Sequence, residues 1–192
     1  MVLNLNKHNP QSLAAIDAQA NCLSYGELCS FAEKLDSIIP SRSLVFLMTE
    51  NNVGGIAWSI GCIAAKHVPL ILNAHTEEGL FNNLMDIYKP AYICVPTNSL
   101  LVDKYVVVAE AYSYSLLSTG NEACALHEEL SHLLPTSGST GSPKLVRHKY
   151  DNIEAAALNI STFFELNSNE RPLLVLPLYY TMGLSIVFSH LY

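Results

Sequence analysis

One stretch decides how this chain is interpreted: Thr136-Ser137-Gly138-Ser139-Thr140-Gly141-Ser142-Pro143-Lys144. Residues 131–136 before it are predicted to form a strand, and residues 145–147 resume an extended pattern. Glycine permits backbone conformations that side chains forbid, so successive N–H groups here can converge on one point. The hydroxyl side chains add donors, and Lys144 adds a mobile cation. The residues alone fit a polyphosphate cradle and a polar turn equally well.

The stretch is not a Walker A loop, which requires the pattern G-x-x-x-x-G-K-[ST]. Gly141 is followed by Ser142-Pro143, and Leu145 stands where the magnesium-binding hydroxyl should be. A phosphotransfer enzyme of the P-loop type is therefore disfavoured.

Working outward from this stretch, strand-like and helix-like segments alternate along the chain. Helices between apolar strands predict βαβ units, and hence an α/β fold with a mainly parallel sheet and helices on both faces. The predicted strands are 44–48, 69–72, 91–95, 105–109, 113–117 and 173–176. Four helices are predicted. The first starts at a capping box formed by Ser24 and Glu27 and ends at Ile39, and the second spans residues 53–66. The third is capped by Thr76 and ends at Tyr88, and the fourth starts at a second capping box, formed by Asp151 and Glu154, and ends at about Phe164.

Composition excludes several classes of function. The net charge is −7 and the 10 basic residues are scattered, so nucleic acid is not expected as a partner. Only 14% of the residues are charged, against about 25% in a typical globular chain, which suggests that part of the surface faces another segment. The five cysteines are odd in number and lack C-x-x-C spacing, which predicts a reduced, cytoplasmic compartment.

The sequence predicts neither a membrane span nor a metal site. Residues 173–192 carry no formal charge and have the length of a membrane span, but Pro177 and Gly183 interrupt them and no basic flank follows. No membrane span is therefore predicted. No metal site is predicted either, because His127 and His132 lack a partner at ligand spacing.

The stretch 136–144 matches the phosphate-loop signature of the adenylate-forming, or AMP-binding, superfamily. That family includes acyl-CoA synthetases, adenylation domains of peptide synthetases, and luciferases. Three other segments resemble family motifs and lie in the family's order: Leu23-Ser24-Tyr25-Gly26-Glu27-Leu28, Ile63-Ala64-Ala65-Lys66-His67-Val68-Pro69-Leu70 and Pro177-Leu178-Tyr179-Tyr180-Thr181-Met182-Gly183-Leu184. The resemblance covers nearly the whole chain, although only the loop is specific by itself.

The resemblance implies ATP-dependent activation of a small-molecule carboxylate as an acyl-adenylate. Transfer of the acyl group to a thiol would follow, with coenzyme A or the phosphopantetheine of an acyl-carrier protein as acceptor and Mg²⁺ accompanying ATP. The residues that would hold the β- and γ-phosphates are Thr136, Ser137, Gly138, Ser139, Thr140, Gly141 and Lys144. Tyr180 stands where many acyl-CoA ligases carry a histidine near the acyl pocket. Tyr179, Tyr180 and Gly183 are therefore substrate-pocket candidates, with packing of the two tyrosines equally consistent.

The sequence also departs from the family's pattern. Leu145 replaces the usual glycine after the loop lysine, and Lys149-Tyr150 replaces a frequent Ser-His pair. His148 is one place away from that histidine and is expected to be an exposed loop residue. His67 replaces a glycine and is expected at the surface or in a turn.

The chain is expected to be the N-terminal part of an AMP-binding domain spanning residues 1–192. No adenine motif and no C-terminal lysine domain follow the phosphate loop, so no catalytic residue is assigned and the chain alone is expected to be inactive. Residues 184–192 are expected to expose apolar surface, through which the chain could associate with itself or with its own missing portion. The alternative is a non-catalytic nucleotide-binding or protein-interaction module derived from the family.

Overall fold

The computed structural model describes residues 1–136 and 144–192, and the described part is built on a seven-stranded mixed sheet. A small antiparallel pair, β1 (Leu13–Ile16) and β2 (Cys22–Ser24), lies outside it. The strands of the main sheet are β3 (Leu44–Thr49), β4 (Val68–Asn73), β5 (Tyr92–Pro96), β6 (Val106–Ala111), β7 (Tyr114–Ser118), β8 (Leu130–Pro135) and β9 (Leu145–Lys149). Their order across the sheet is β6-β7-β5-β3-β4-β8-β9.

The centre of the sheet is parallel and its two sides are antiparallel. β3 pairs in parallel with β4 and β5, and β4 pairs in parallel with β8. β7 returns antiparallel to β5, β6 pairs antiparallel with β7, and β9 pairs antiparallel with β8. The α/β class is confirmed, but the sheet is mixed rather than mainly parallel, because β6, β7 and β9 pair antiparallel with their neighbours.

Helices cover both faces of the sheet, as predicted. They are α1 (Tyr25–Ile38), α2 (Val53–Ala64), α3 (Glu78–Tyr88), α4 (Tyr150–Phe163) and α5 (Thr181–Leu191), with a 3-10 segment at Val2–Lys7. Alternate residues of β3 face opposite cores: Val45 and Leu47 pack with α1, α2, α4 and α5, whereas Phe46 and Met48 pack with α3. This division follows from the two-residue period of a strand.

Only one of the three predicted helix caps is present. Ser24 and Glu27 form the capping box of α1, with the Ser24 N–H donating to Glu27 Oε2 at 2.8 Å. Thr76 does not cap α3, because its hydroxyl donates instead to the Asn73 carbonyl at 2.7 Å. The second capping box is wrong: α4 begins at Tyr150, and Glu154 accepts a hydrogen bond from the Leu3 N–H at 2.8 Å.

Residues 173–176 do not form the predicted strand. Leu173 and Val175 are 82% and 71% exposed, and in the described part of the chain no strand pairs with this segment. Strand-like composition alone does not produce a strand without a neighbour that accepts its backbone hydrogen bonds. No helix of the described residues is long and apolar enough to span a membrane.

The expected exposure of residues 184–192 is also wrong. All of them except Tyr192 lie in α5, which packs against α4 and the 3-10 segment. Leu184, Phe188 and Leu191 are 1%, 5% and 3% exposed. The surface through which self-association was expected is therefore part of the core, and exposed apolar side chains lie instead at Phe163 and Phe164.

Candidate functional site

The described base of the phosphate loop is the end of the β8–β9 hairpin. Pro135 is paired with Leu145, and the Thr136 N–H donates to the Lys144 carbonyl at 2.9 Å. This hydrogen bond fixes Thr136 and Lys144 side by side, and both residues are exposed. The other predicted phosphate ligands, Ser137, Gly138, Ser139, Thr140 and Gly141, lie outside the described residues.

The hairpin end lies at the carboxyl edge of the parallel strands. Leu133 of β8 is paired in parallel with Leu70 of β4, so the ends of the two strands, at Asn73 and just before Thr136, lie at the same edge of the sheet. Ligands of open α/β sheets bind outside the carboxyl ends of the strands, where connecting loops converge. The edge at Asn73 and Thr136 is therefore the candidate site.

A second segment, the Tyr179–Tyr180 pair ahead of α5, reaches the same edge. The Asn73 Nδ2 donates to the Tyr179 hydroxyl at 3.2 Å. Tyr180 is the N-cap residue of α5 and is 54% exposed, and the centroids of the two rings are 4.8 Å apart. The structure thus connects Tyr179 to the end of β4, and Tyr180 presents its ring to solvent.

Asn51, two residues after β3, holds the segment that leads to these tyrosines. Its Nδ2 donates to the carbonyls of Leu174 at 3.2 Å and Leu176 at 2.9 Å. Its Oδ1 accepts from the Leu178 N–H at 3.1 Å. One side chain therefore satisfies backbone groups on both sides of Pro177, in a stretch without a strand partner.

Gly183 has a packing role that the sequence did not reveal. The glycine is buried in the first turn of α5, and a Cβ built on it would lie 2.1 Å from the Pro177 carbonyl oxygen. The absence of a side chain lets α5 begin directly against the Pro177 turn. Gly183 therefore fixes the position of Tyr179 and Tyr180, whether or not it also borders a ligand.

The hairpin contains a pair of stacked histidines, and the expectation for His148 is wrong. His148 lies in β9, half-buried, with its ring 4.3 Å from that of His132 and inclined by 5°. The two residues are cross-strand partners, which brings their rings together. Burial, with a smaller contribution from His148, lowers the pKa of His132 to about 3. Burial also lowers the pKa of His148. Both rings are therefore neutral near pH 7.

His67 lies in the connection between α2 and β4 but is only 2% exposed, so a surface position is wrong. Lys66 before it has a positive φ of 66°, and the His67 N–H donates to the Cys62 carbonyl at 2.9 Å. This tight helix end turns the imidazole inward. Burial lowers the pKa of His67, which favours the neutral ring.

Metal ligands are not clustered in the described ranges 1–136 and 144–192. No group of three or more His, Cys, Asp or Glu side chains there could hold a metal ion. The five cysteines are free thiols, of which Cys62 and Cys94 are buried.

The sequence reasoning missed Asn51 and Asn73. Each stands where the apolar run of a buried strand gives way to polar residues, Asn51 two residues after β3 and Asn73 as the last residue of β4. Polar residues at the carboxyl ends of parallel strands are the signal that could have identified them.

Comparison with known proteins identifies the family and the fold. The model of the AMP-binding enzyme family matches residues 6–192, so the chain belongs to that family. A curated relative, the 2-succinylbenzoate–CoA ligase of Lactococcus lactis subsp. lactis (strain IL1403), is 28% identical over 173 residues. That match covers 86% of this chain and 37% of the relative.

Two solved structures show the same fold. The o-succinylbenzoate CoA synthetase (MenE) from Bacillus subtilis, in complex with the acyl-adenylate intermediate OSB-AMP, has a TM-score of 0.76 at 17% identity. An E. coli MenE with bound OSB-AMS has a TM-score of 0.72 at 20% identity. The matches cover 98% and 100% of this chain, but only 52% and 44% of those chains. The chain thus spans about half the length of these structures.

Proposed function

We propose that the intact protein carrying this chain activates a carboxylate with ATP and then transfers the acyl group to a thiol. The carboxylate oxygen attacks the α-phosphorus, giving an acyl-adenylate and releasing pyrophosphate. Membership of the AMP-binding enzyme family supports this proposal. The single observation that carries it is the hairpin end at Thr136 and Lys144, which sits at the carboxyl edge of the sheet within the matched region.

The residues at the hairpin end suit a polyphosphate. Lys144 supplies an exposed cation, and Thr136 supplies an exposed hydroxyl while its own N–H is engaged with the Lys144 carbonyl. Thr136 would therefore contact phosphate through its side chain. We assign Ser137, Gly138, Ser139, Thr140 and Gly141 to the same role from the signature alone. Charged and polar donors of this kind neutralise and orient the phosphates while the α-phosphorus is attacked.

Magnesium would arrive with the nucleotide. Mg²⁺ commonly retains several waters and is held by substrate phosphates with one or two carboxylates. A solved relative, the Bacillus subtilis synthetase, has been described in complex with ATP and a magnesium ion. The cation would add charge neutralisation to that provided by Lys144.

For the carboxylate, 2-succinylbenzoate is the first candidate, because the curated relative is a 2-succinylbenzoate–CoA ligase. Tyr179 and Tyr180 would border the carboxylate, with Gly183 supporting them from α5. Coenzyme A is the first candidate acceptor, with an acyl-carrier protein as the alternative. The free cysteines support a cytoplasmic location.

The test is carboxylate-dependent exchange of labelled pyrophosphate into ATP. The panel contains 2-succinylbenzoate together with L-aspartate and 3-methylaspartate, which are bound in solved structures of VinN, a protein of similar fold. A reaction lacking carboxylate is the control. Exchange with one acid, followed by formation of its CoA thioester, is the expected result. ATP binding without exchange for any acid would favour a nucleotide-binding module that does not catalyse. Absence of both would refute the proposal.

A further inference from the structure

The amide of Asn73 is fixed in one orientation. Its Oδ1 accepts a hydrogen bond from the His75 N–H at 3.0 Å, so this end of the amide must be the oxygen. Its Nδ2 therefore faces the Tyr179 hydroxyl, 3.2 Å away, and must be the donor there. The Thr76 N–H and hydroxyl both bind the Asn73 carbonyl, which holds the residue rigid at the end of β4.

This direction leaves the Tyr179 hydroxyl hydrogen to be donated elsewhere. A phenol both accepts and donates, and its acceptor side is occupied by Asn73. Within residues 1–136 and 144–192 the hydroxyl hydrogen has no acceptor, although the ring is half-buried. An accepted hydrogen bond also polarises the hydroxyl and strengthens the bond that it donates. The Tyr179 hydroxyl is thus oriented to donate a hydrogen bond to an oxygen of another group.

The backbone beneath Tyr179 is also held in place. Asn51 Oδ1 accepts from the Leu178 N–H at 3.1 Å, and Leu178 is fully buried. Asn51 and Asn73 extend from the ends of β3 and β4, neighbouring strands of the parallel centre. Both supports are neutral amides, so the surroundings that they give Tyr179 carry no charge.

We propose that the Tyr179 hydroxyl donates a hydrogen bond to an oxygen of the substrate carboxylate, with Asn73 as its positioning residue. This inference rests on the proposed function. A neutral donor suits a carboxylate that must act as a nucleophile, because it orients the group without pairing it to a cation that would reduce its reactivity. Lys144 at the hairpin end would instead neutralise the phosphates of ATP.

Two variants separate this role from simple packing. Tyr179→Phe keeps the ring and removes the hydroxyl. Asn73→Asp keeps the acceptor for the His75 N–H but replaces the donor facing Tyr179 with a second acceptor, so the hydroxyl hydrogen turns toward position 73 and away from the substrate. Tyr92→Phe is the matched control, because Tyr92 begins β5 at the opposite edge of the sheet.

Steady-state pyrophosphate exchange by the intact protein is measured with carboxylate and ATP varied separately. Tyr179→Phe should raise the KM for the carboxylate roughly 10- to 100-fold, as expected for a lost hydrogen bond to a charged group. The KM for ATP should stay within about twofold. Asn73→Asp should raise the same KM by at least as much, because its negative charge also repels the substrate carboxylate. Adding Tyr179→Phe to Asn73→Asp should raise the KM less than it does in the wild type, since the hydrogen bond has already been lost. Tyr92→Phe should match the wild type.

The outcomes separate this inference from the proposed function. Exchange by the wild type shows that the proposed function holds, whatever Tyr179 does. An unchanged carboxylate KM in Tyr179→Phe would then overturn the assignment. An equal rise in both KM values would also overturn it, because it would indicate a general disturbance of the site.

Discussion

Replacing Gly183 by alanine tests whether close packing against Pro177 positions the candidate site. The added Cβ would lie 2.1 Å from the Pro177 carbonyl oxygen, 2.7 Å from its carbonyl carbon and 2.9 Å from the Leu176 carbonyl oxygen. All three atoms belong to the backbone and cannot rotate away as a side-chain tip would. Either α5 or the Pro177 turn must therefore move by roughly 1 Å to restore ordinary contact.

The magnitude follows from two opposing terms. Overpacking a well-filled site costs about 1–3 kcal/mol, and a clash with backbone belongs at the upper end of that range. Alanine is about 1 kcal/mol better than glycine within a helix, which offsets part of this cost. We expect a net loss of about 2 kcal/mol. For a chain of this size that loss lowers the Tm by about 4–8 °C.

Urea denaturation monitored by circular dichroism measures this loss, with Gly79→Ala as the matched control. Gly79 is exposed in the first turn of α3, and its added Cβ would meet only Glu77 Oε1, at 4.0 Å. That variant should be stabilised by about 0.5 kcal/mol. If Gly183→Ala were as stable as Gly79→Ala, the close approach of α5 to Pro177 would be refuted.

Three further perturbations have defined outcomes. Lys144→Ala should lower the adenylation rate of the intact protein roughly 10- to 100-fold and change the free energy of unfolding by less than about 0.5 kcal/mol. A large fall in Tm with normal activity would contradict a phosphate-binding role for Lys144. Asn51→Ala removes three hydrogen bonds to the segment 174–178, so it should lower the free energy of unfolding by about 1–3 kcal/mol and speed amide hydrogen exchange in that segment. Unchanged exchange would show that Asn51 does not hold the segment in place. The free energy of unfolding should be highest above pH 6.5 and should fall as the pH drops toward 3. The His132 ring binds a proton near its ordinary pKa of 6.5 in the unfolded chain but only near 3 in the folded chain. His132 should therefore contribute a fall of at most about 1.4 kcal/mol per pH unit. His132→Leu should flatten this fall, and an unchanged slope in urea titrations at pH 7 and pH 5 would refute the assignment.

The sequence was sufficient for the fold class because hydrophobic patterning decides it. The uninterrupted apolar run of β3 is fully buried, as a central parallel strand requires, and the capping box at Ser24 marks the start of α1. Strand direction at the sides of the sheet was less accessible, since β6, β7 and β9 look the same from sequence whether they pair parallel or antiparallel.

The misplaced features share a physical cause, which is competition between local and distant partners. Glu154 has the right spacing for a capping box but bonds the Leu3 N–H, and Thr76 bonds Asn73. His148 departs from the family spacing, yet its cross-strand pairing with His132 buries it. A local pattern can show which groups are able to bond, but the fold determines which of them meet.

The sequence identified only part of the candidate site, because some of its residues meet partners that are distant along the chain. Composition singled out the stretch from Thr136 to Lys144, and the structure shows that its two described ends meet. Asn51 and Asn73 were missed because a single asparagine has no spacing pattern, and its place at the end of a parallel strand is a signal only once the sheet is known. Their partners, Leu178 and Tyr179, lie more than 100 residues away along the chain.

The bond between Leu3 and Glu154 has a consequence for the order in which the protein can assemble on the ribosome. Val2, Leu3 and Leu5 are buried, yet Leu3 is separated by 151 positions from the carboxylate that binds its N–H. At ordinary elongation rates, roughly 10–30 s pass between the synthesis of one partner and the other. Throughout that interval α1 can already pack against these apolar residues, but they lack the contacts that α4 and α5 supply in the folded chain, so this part of the core is completed late in synthesis.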